Sequence, residues 1–229
     1  ADPFLGGRRM VMVGRLSQRM VVYPIADLPD GKQLMNWVAE REMEEGRPMP
    51  KQDWDGVATA QEPLEYFGDF VFDWLDVPAL IRGSAEVLRY PMVDRDPLPG
   101  WRHVNMTLLG DAAHPMYPVG SNGASQAIID ARVLAYELAT RGSVGEALEA
   151  YENLRRPTTS AIVLANRQVG PERCMDLVAE RAPDGFTHRA DVMSDDEVNS
   201  IVNAYKRTAG FDPSVLNERA SWSVPRRRG

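Results

Sequence analysis

Apolar residues gather into three short β-prone runs at the start of the chain: Met10-Val11-Met12-Val13, Met20-Val21-Val22-Tyr23-Pro24-Ile25 and Gln33-Leu34-Met35-Asn36-Trp37-Val38. Gly14 to Ser17 separates the first two, and Leu28-Pro29-Asp30-Gly31 the second and third, so the spacing predicts an antiparallel meander. The charged stretch from Glu40 to Asp55 contains Pro48 and Pro50, which predicts a loop or exposed crossing rather than a long helix. Leu64, Phe67, Phe70, Val71, Trp74 and Leu75 recur at three- and four-residue spacing and predict one amphipathic helix between Pro63 and Leu80. Val87 to Val93 then reads as a strand. Asp94-Arg95-Asp96-Pro97-Leu98-Pro99-Gly100 is a rigid polar connector, and the chain divides near Gly100 into a sheet region, 1–100, and a second part, 101–229.

In the second part an apolar strand is expected at Val104 to Leu109, then a glycine- and proline-rich loop from Gly110 to Gly123. A helix follows, with Ala127, Ile128, Ala131, Leu134, Ala135 and Leu138 on one stripe. Leu148, Tyr151 and Leu154 predict further helix, with a break or kink at Pro157 and continuation through Ile162 to Ala179. Asp195 to Ala209 predicts another helix, with Ser194 as N-cap and Glu197 three residues later. The fold class is therefore α/β of an α+β kind: an antiparallel sheet, a strand-loop-helix unit, and a helical tail.

Composition narrows the chemistry. The 229 residues carry a net charge of −7 and are 44% apolar, as expected of one large or two small globular domains. The single cysteine, Cys174, excludes an internal disulfide, and His103, His114 and His188 lack metal-ligand spacing. The only basic run is Arg226-Arg227-Arg228, a solvated tail rather than a nucleic-acid surface. There is neither a membrane-length apolar run nor a signal segment, so a cytoplasmic location is expected. The chain opens at Ala1 and enters strand-like sequence almost at once, which suggests that a preceding piece is missing.

One constellation is hard to explain by packing alone: Gly110-Asp111-Ala112-Ala113-His114, then Pro118, Gly120 and Gly123, then Asp130-Ala131. An acidic residue at the carboxyl end of a strand sits where open α/β sheets bind ligands, and its carboxylate can accept hydrogen bonds from sugar-alcohol hydroxyls. Ala112 and Ala113 leave room for a cofactor, and Gly120 and Gly123 let backbone amides approach it. The helix beginning near Ala124 adds its positive end, which suits the pyrimidine edge of a flavin or a phosphate.

These residues resemble the second FAD-binding motif of the single-component flavin aromatic hydroxylases, the para-hydroxybenzoate hydroxylase fold. Tyr90 to Pro99, Met116-Tyr117-Pro118, Asn122 to Ala127 and Arg155-Arg156-Pro157 are similar to the phenazine-carboxylate and salicylate hydroxylase-like branch. Tyr23-Pro24-Ile25 and Asn36-Trp37-Val38 fit that branch as well. The resemblance implies an FAD-dependent monooxygenase that uses NADH or NADPH and oxygen to hydroxylate an aromatic or heteroaromatic acid. Residues 1–100 would be part of a substrate domain, and 101–229 the end of the FAD-binding domain with its helical tail. Asp111 would bind the ribityl chain. Pro118, Gly120, Ser121, Asn122, Gly123 and Ala124 would lie along the isoalloxazine ring.

Family members also need an N-terminal βαβ unit with a Gly-x-Gly-x-x-Gly turn, which these residues lack. The resemblance therefore implies a missing N-terminal FAD-binding segment as partner, or self-association of the chain. The other reading is a non-catalytic truncated chain acting as a folding or interaction module; bound yellow flavin separates the two.

The remaining candidates carry structural and functional readings side by side. His114 either contacts the flavin phosphate or orients the loop. Tyr23, Trp37 and Tyr117 could wall an aromatic substrate pocket, with core packing the alternative for Trp37. The strand methionines suit core filling or a planar substrate. Arg155 and Arg156 are expected to tie their helix to neighbouring carboxylates. No residue is assigned as a catalytic acid, base or metal ligand, because the flavin carries the chemistry.

Overall fold

Cross-strand pairing makes the first sheet. In the computed structural model, which describes residues 4–43, 53–168, 170–210, 213–218 and 221–224, strands β1 (Val11–Arg15), β2 (Gln18–Asp27) and β3 (Gln33–Arg41) form an antiparallel meander in the order β1-β2-β3. Met20 pairs with Val13 and with Ala39, and Val22 pairs with Val11 and Trp37. Because side chains alternate across a pleat, this register sends Val13, Met20 and Val22 to the same face. There they form a core with Phe67, Leu75, Val77 and Ile81. Gly31, with φ +76°, closes the turn between β2 and β3, a conformation that favours glycine. Residues 44–52, most of the charged stretch expected to be a loop, and the Arg226 to Arg228 run lie outside the described residues.

The single helix expected between Pro63 and Leu80 is two short ones. After β4 (Gly56–Ala58), helix α1 covers Gln61–Phe67, a small hairpin pairs β5 (Val71–Phe72) with β6 (Leu75–Asp76), and α2 covers Val77–Arg82. Gly68 caps α1. The Asp76 carboxylate accepts from the Ala79 N–H at 2.8 Å and starts α2 afresh. The aromatic residues that mimic a helical stripe instead meet in sequence, Phe67 with Phe70 and Phe70 with Phe72 edge to face, and Phe72 stacked on Trp74. Strand β7 (Val87–Arg89) pairs with β4.

The chain packs as two units, Ala1–Pro91 and Met92–Gly229. The division falls earlier than Gly100 because the polar connector is tied into the second unit: Arg167 forms ion pairs with both Asp94 and Asp96.

In the second unit the strand expected at Val104 to Leu109 is a tight hairpin of β8 (Arg102–His103) and β9 (Met106–Thr107). Val104 adopts φ +53° at its tip and Asn105 completes the turn. Helix α3 spans Gly123–Thr140 and α4 Val144–Asn166. α4 continues through Pro157 where the sequence predicts a break. Its buried stripe of Leu148, Tyr151, Arg155, Thr159, Ile162 and Val163 runs on both sides of the proline, so packing outweighs the one hydrogen bond the proline cannot donate. The chain then forms α5 (Arg173–Arg181), α6 (Asp195–Thr208) and α7 (Pro213–Glu218). The Ser194 side chain accepts from the Glu197 N–H at the start of α6, as its spacing predicts.

Candidate functional site

The chain leaves β9 through Gly110, whose φ of +58° turns it sharply into a 3-10 turn, Gly110–Ala112. This turn is anchored from below. The Gly110 N–H donates to Asp130 Oδ2 at 2.9 Å, His114 Nε2 lies 2.6 Å from the same oxygen, and Arg155 Nε donates to Asp130 Oδ1 at 2.7 Å. All three side chains are buried. Burial alone pushes the Asp130 carboxyl up, but the bonds from His114, Gly110 and Arg155 outweigh it and hold it below the usual carboxylate range. Beside this anchor Trp101, Ala113, Val133 and Tyr151 form an apolar core, and the Tyr151 hydroxyl donates to the Leu108 carbonyl at 3.1 Å. Burial raises the Tyr151 pKa, and the Asp130 charge adds to the rise, so the phenol stays protonated.

With Gly110 and His114 pinned inward, Asp111 and Ala112 between them face outward and are exposed. Asp111 Oδ1 lies 4.0 Å from the place a Cβ on Gly123 would occupy, so the two ends of the loop meet at one spot. Pro118, Gly120, Ser121 and Ala124 are exposed along the same loop and helix start. Ser121, at φ +52°, holds a left-handed conformation costly for a residue with a Cβ.

His114, expected to contact a flavin phosphate or to orient the loop, sits beneath the loop, a position that suits orienting it. Asn122 is also buried, and its Oδ1 accepts from Gln126 Nε2 at 3.1 Å. That oxygen therefore does not cap α3, an 18-residue helix whose first N–H groups have no intrahelical partner. Tyr117 is half-buried and packs against Val119 and Tyr205, and its carbonyl accepts from Asn166 Nδ2 at 2.8 Å. Arg155 and Arg156 meet Asp130 and Glu152, the carboxylate ties their sequence predicts.

In the first unit, Trp37 and Tyr23 do not share a surface. Trp37 pairs with Val22 and packs on the core face, its Nε1 donating to Ser84 Oγ at 2.8 Å. Tyr23 lies on the opposite face, where its hydroxyl accepts from Asn36 Nδ2 at 2.9 Å. Trp37 is partly buried and packs against that core, and the register puts the two rings on opposite faces of the sheet. Sequence reasoning also missed Asn166 and Tyr205, which hold the loop from 49 and 86 residues away. No short-range pattern signals such contacts.

The exposed part of this arrangement offers a carboxylate that can accept from hydroxyls, an uncapped helix end suited to an electron-rich oxygen, and open space at Gly123. Those are the groups that the polyol and the polar ring edge of FAD need. Among the described residues, no group of three histidine, cysteine or acidic side chains could hold a metal ion, and no helix is long and apolar enough to cross a membrane.

The family described as FAD binding domain matches residues 92–166, which include the whole Gly110 to Asp130 segment. Phenazine 1,6-dicarboxylic acid hydroxylase of Lysobacter antibioticus is 48% identical over 169 residues, covering 72% of this chain and 42% of that protein. A 3-amino-4-hydroxybenzoate 2-monooxygenase of Streptomyces platensis is 45% identical over 124 residues, 54% of this chain and 31% of that protein. A solved salicylate hydroxylase substrate complex aligns with a TM-score of 0.57 and 25% identity, over 87% of this chain and 49% of the other. The chain spans less than half the length of these relatives. Over the matched residues the chain is similar to the class A FAD-dependent aromatic hydroxylases.

Proposed function

We propose that the protein carrying this chain is an FAD-dependent monooxygenase that hydroxylates an aromatic or heteroaromatic acid, with NADH or NADPH as reductant. The observation that carries the reading is the exposed Asp111 carboxylate beside the uncapped start of α3, within the segment matched to the FAD-binding family. Bound FAD supplies the redox and oxygen-transfer chemistry. The chain's own residues bind and orient it. Asp111 would accept from ribityl hydroxyls, and the backbone of Pro118, Gly120, Ser121, Asn122, Gly123 and Ala124 would hold the ring. The positive end of α3 would stabilise negative charge on a reduced flavin held there. His114 acts from below, fixing the loop through Asp130.

An aromatic acid substrate is supported by the names of two relatives, one acting on a phenazine dicarboxylic acid and one on an aminohydroxybenzoate. Tyr23 is the aromatic side chain we assign to substrate contact. The adenosine and pyrophosphate of FAD require a further Gly-x-Gly-x-x-Gly unit, which we assign to a part of the protein outside these residues. FAD titration of the protein and of its Asp111→Ala variant tests the reading: weaker binding in the variant supports it, and an unchanged dissociation constant refutes it.

A further inference from the structure

The segment matched to the FAD-binding family ends at residue 166, yet the loop from Tyr117 to Asn122 is held largely by residues beyond or at the end of it. Tyr205 of α6 is buried and packs with Val119 and Ala209. Its hydroxyl donates to the Val119 carbonyl at 2.6 Å, with Asn166 Oδ1 as a second acceptor at 3.1 Å. Asn166 in turn donates to the Tyr117 carbonyl. Gln126 Nε2 bridges the Asn122 side chain and the Ala209 carbonyl at 3.1 and 3.2 Å.

Glycines shape the slot that the ring fills. A Cβ on Gly120 would collide with Cε1, Cζ and the hydroxyl oxygen of Tyr205. A Cβ on Gly170 would lie 2.9 Å from Tyr205 Cδ2 and 3.0 Å from Val119 Cγ1. Gly120 also has φ +66°. The missing side chain of Gly120 therefore makes room for Tyr205, while its backbone remains exposed on the other side.

We propose that Tyr205 is a positioning residue for the flavin-contacting loop, so that helix α6, beyond the segment matched to the FAD-binding family, is a working part of the FAD site. It draws the carbonyls of the loop inward. With Tyr117 and Val119 carbonyls occupied by Asn166 and Tyr205, the loop is held in the left-handed path at Gly120 and Ser121 that leaves its outer edge to the ring. This inference rests on the assignment of FAD to the Asp111 loop.

The test uses Tyr205→Phe and Asp111→Ala in the full-length protein, with amide hydrogen exchange of residues 117–123 before FAD addition and FAD affinity as readouts. Tyr205→Phe keeps the ring in its slot and removes only the hydroxyl. Its expected effect is faster exchange confined to the loop, with FAD affinity reduced roughly three- to tenfold, as for one lost hydrogen bond. Unchanged loop exchange would overturn the positioning role, leaving Tyr205 as packing only. Faster exchange with unchanged FAD affinity, while Asp111→Ala still weakens FAD, would also overturn it and leave the flavin assignment standing. If neither variant alters FAD affinity, the flavin assignment itself falls, and the inference with it.

Discussion

His114 Nε2 and Asp130 Oδ2 lie 2.6 Å apart beneath the loop, both side chains out of contact with solvent, and Asp130 also receives Arg155 and the Gly110 N–H. A carboxylate with three buried donors is an anchor whose loss strands its partners. Asp130→Asn keeps the shape but leaves the Arg155 guanidinium buried without its counter-charge, and is expected to destabilise the fold by about 3–5 kcal/mol. Urea unfolding at neutral pH measures this, and a change below about 1 kcal/mol would show that Arg155 finds another partner.

The same residue predicts a pH dependence. Unfolded, an aspartate titrates near pH 3.9. Folded, Asp130 is held lower. Between the two values the unfolded chain binds more protons, so the contribution is fully present above about pH 4 and is lost as pH falls toward the folded pKa. Stability of the Asp130→Asn variant should fall less steeply than wild type below that pH. Parallel acid-unfolding curves would assign the acid sensitivity to other carboxylates.

Asp111 faces outward and has no such anchoring work, so its removal should leave stability nearly unchanged. If it accepts from ribityl hydroxyls, Asp111→Ala loses a charge-assisted bond of roughly 1.5–3 kcal/mol, or about ten- to hundredfold in FAD affinity. Thermal unfolding without FAD and titration with it should therefore move independently.

Gly120 and Gly123 should respond in opposite ways. Gly120→Ala places a methyl group against Tyr205 in a left-handed backbone, with about 1–3 kcal/mol for the conformation and a similar cost for overpacking. At Gly123 the nearest atom to an added Cβ is Asp111 Oδ1 at 4.0 Å, and alanine is the better helix former by roughly 1 kcal/mol. Gly123→Ala should keep or raise stability in the absence of flavin while lowering FAD affinity. Equal melting losses in the two variants would contradict the slot geometry.

Trp37 and Tyr23 separate along the same logic. Trp37→Phe removes the bond to Ser84 and part of the core packing, for a stability loss of about 1–2 kcal/mol. Its effect on binding of an aromatic acid should be small. Tyr23→Phe, on the other face of the sheet, should change substrate affinity more than stability. Unfolding curves and substrate titration of both variants give the comparison.

Local patterns in the chain carry far where a few neighbouring residues decide the outcome. A Pro-Asp-Gly turn between apolar runs specifies the meander, and Ser194 with Glu197 specifies the start of α6; α3 forms where a helix is expected, but Ile128, Ala131, Ala135 and Leu138 of the expected apolar stripe are exposed and the helix buries Gln126, Asp130, Val133 and Glu137 instead. The loop from Gly110 to Gly123 is legible as a family motif, since its residue types are dictated by close backbone approach. Other outcomes depend on partners distant in sequence. The spacing between Leu64 and Leu75 suits a helix, yet Gly68, Asp76 and the burial of Phe67 in the core divide it. Whether Tyr23 and Trp37 share a face follows from the pairing of β2 with β3, not from either strand alone. Tyr205 gives no sign in sequence of its place beside Gly120. That approach joins residues 85 positions apart, and its energy exists only once α6 has packed over the loop and buried the phenol.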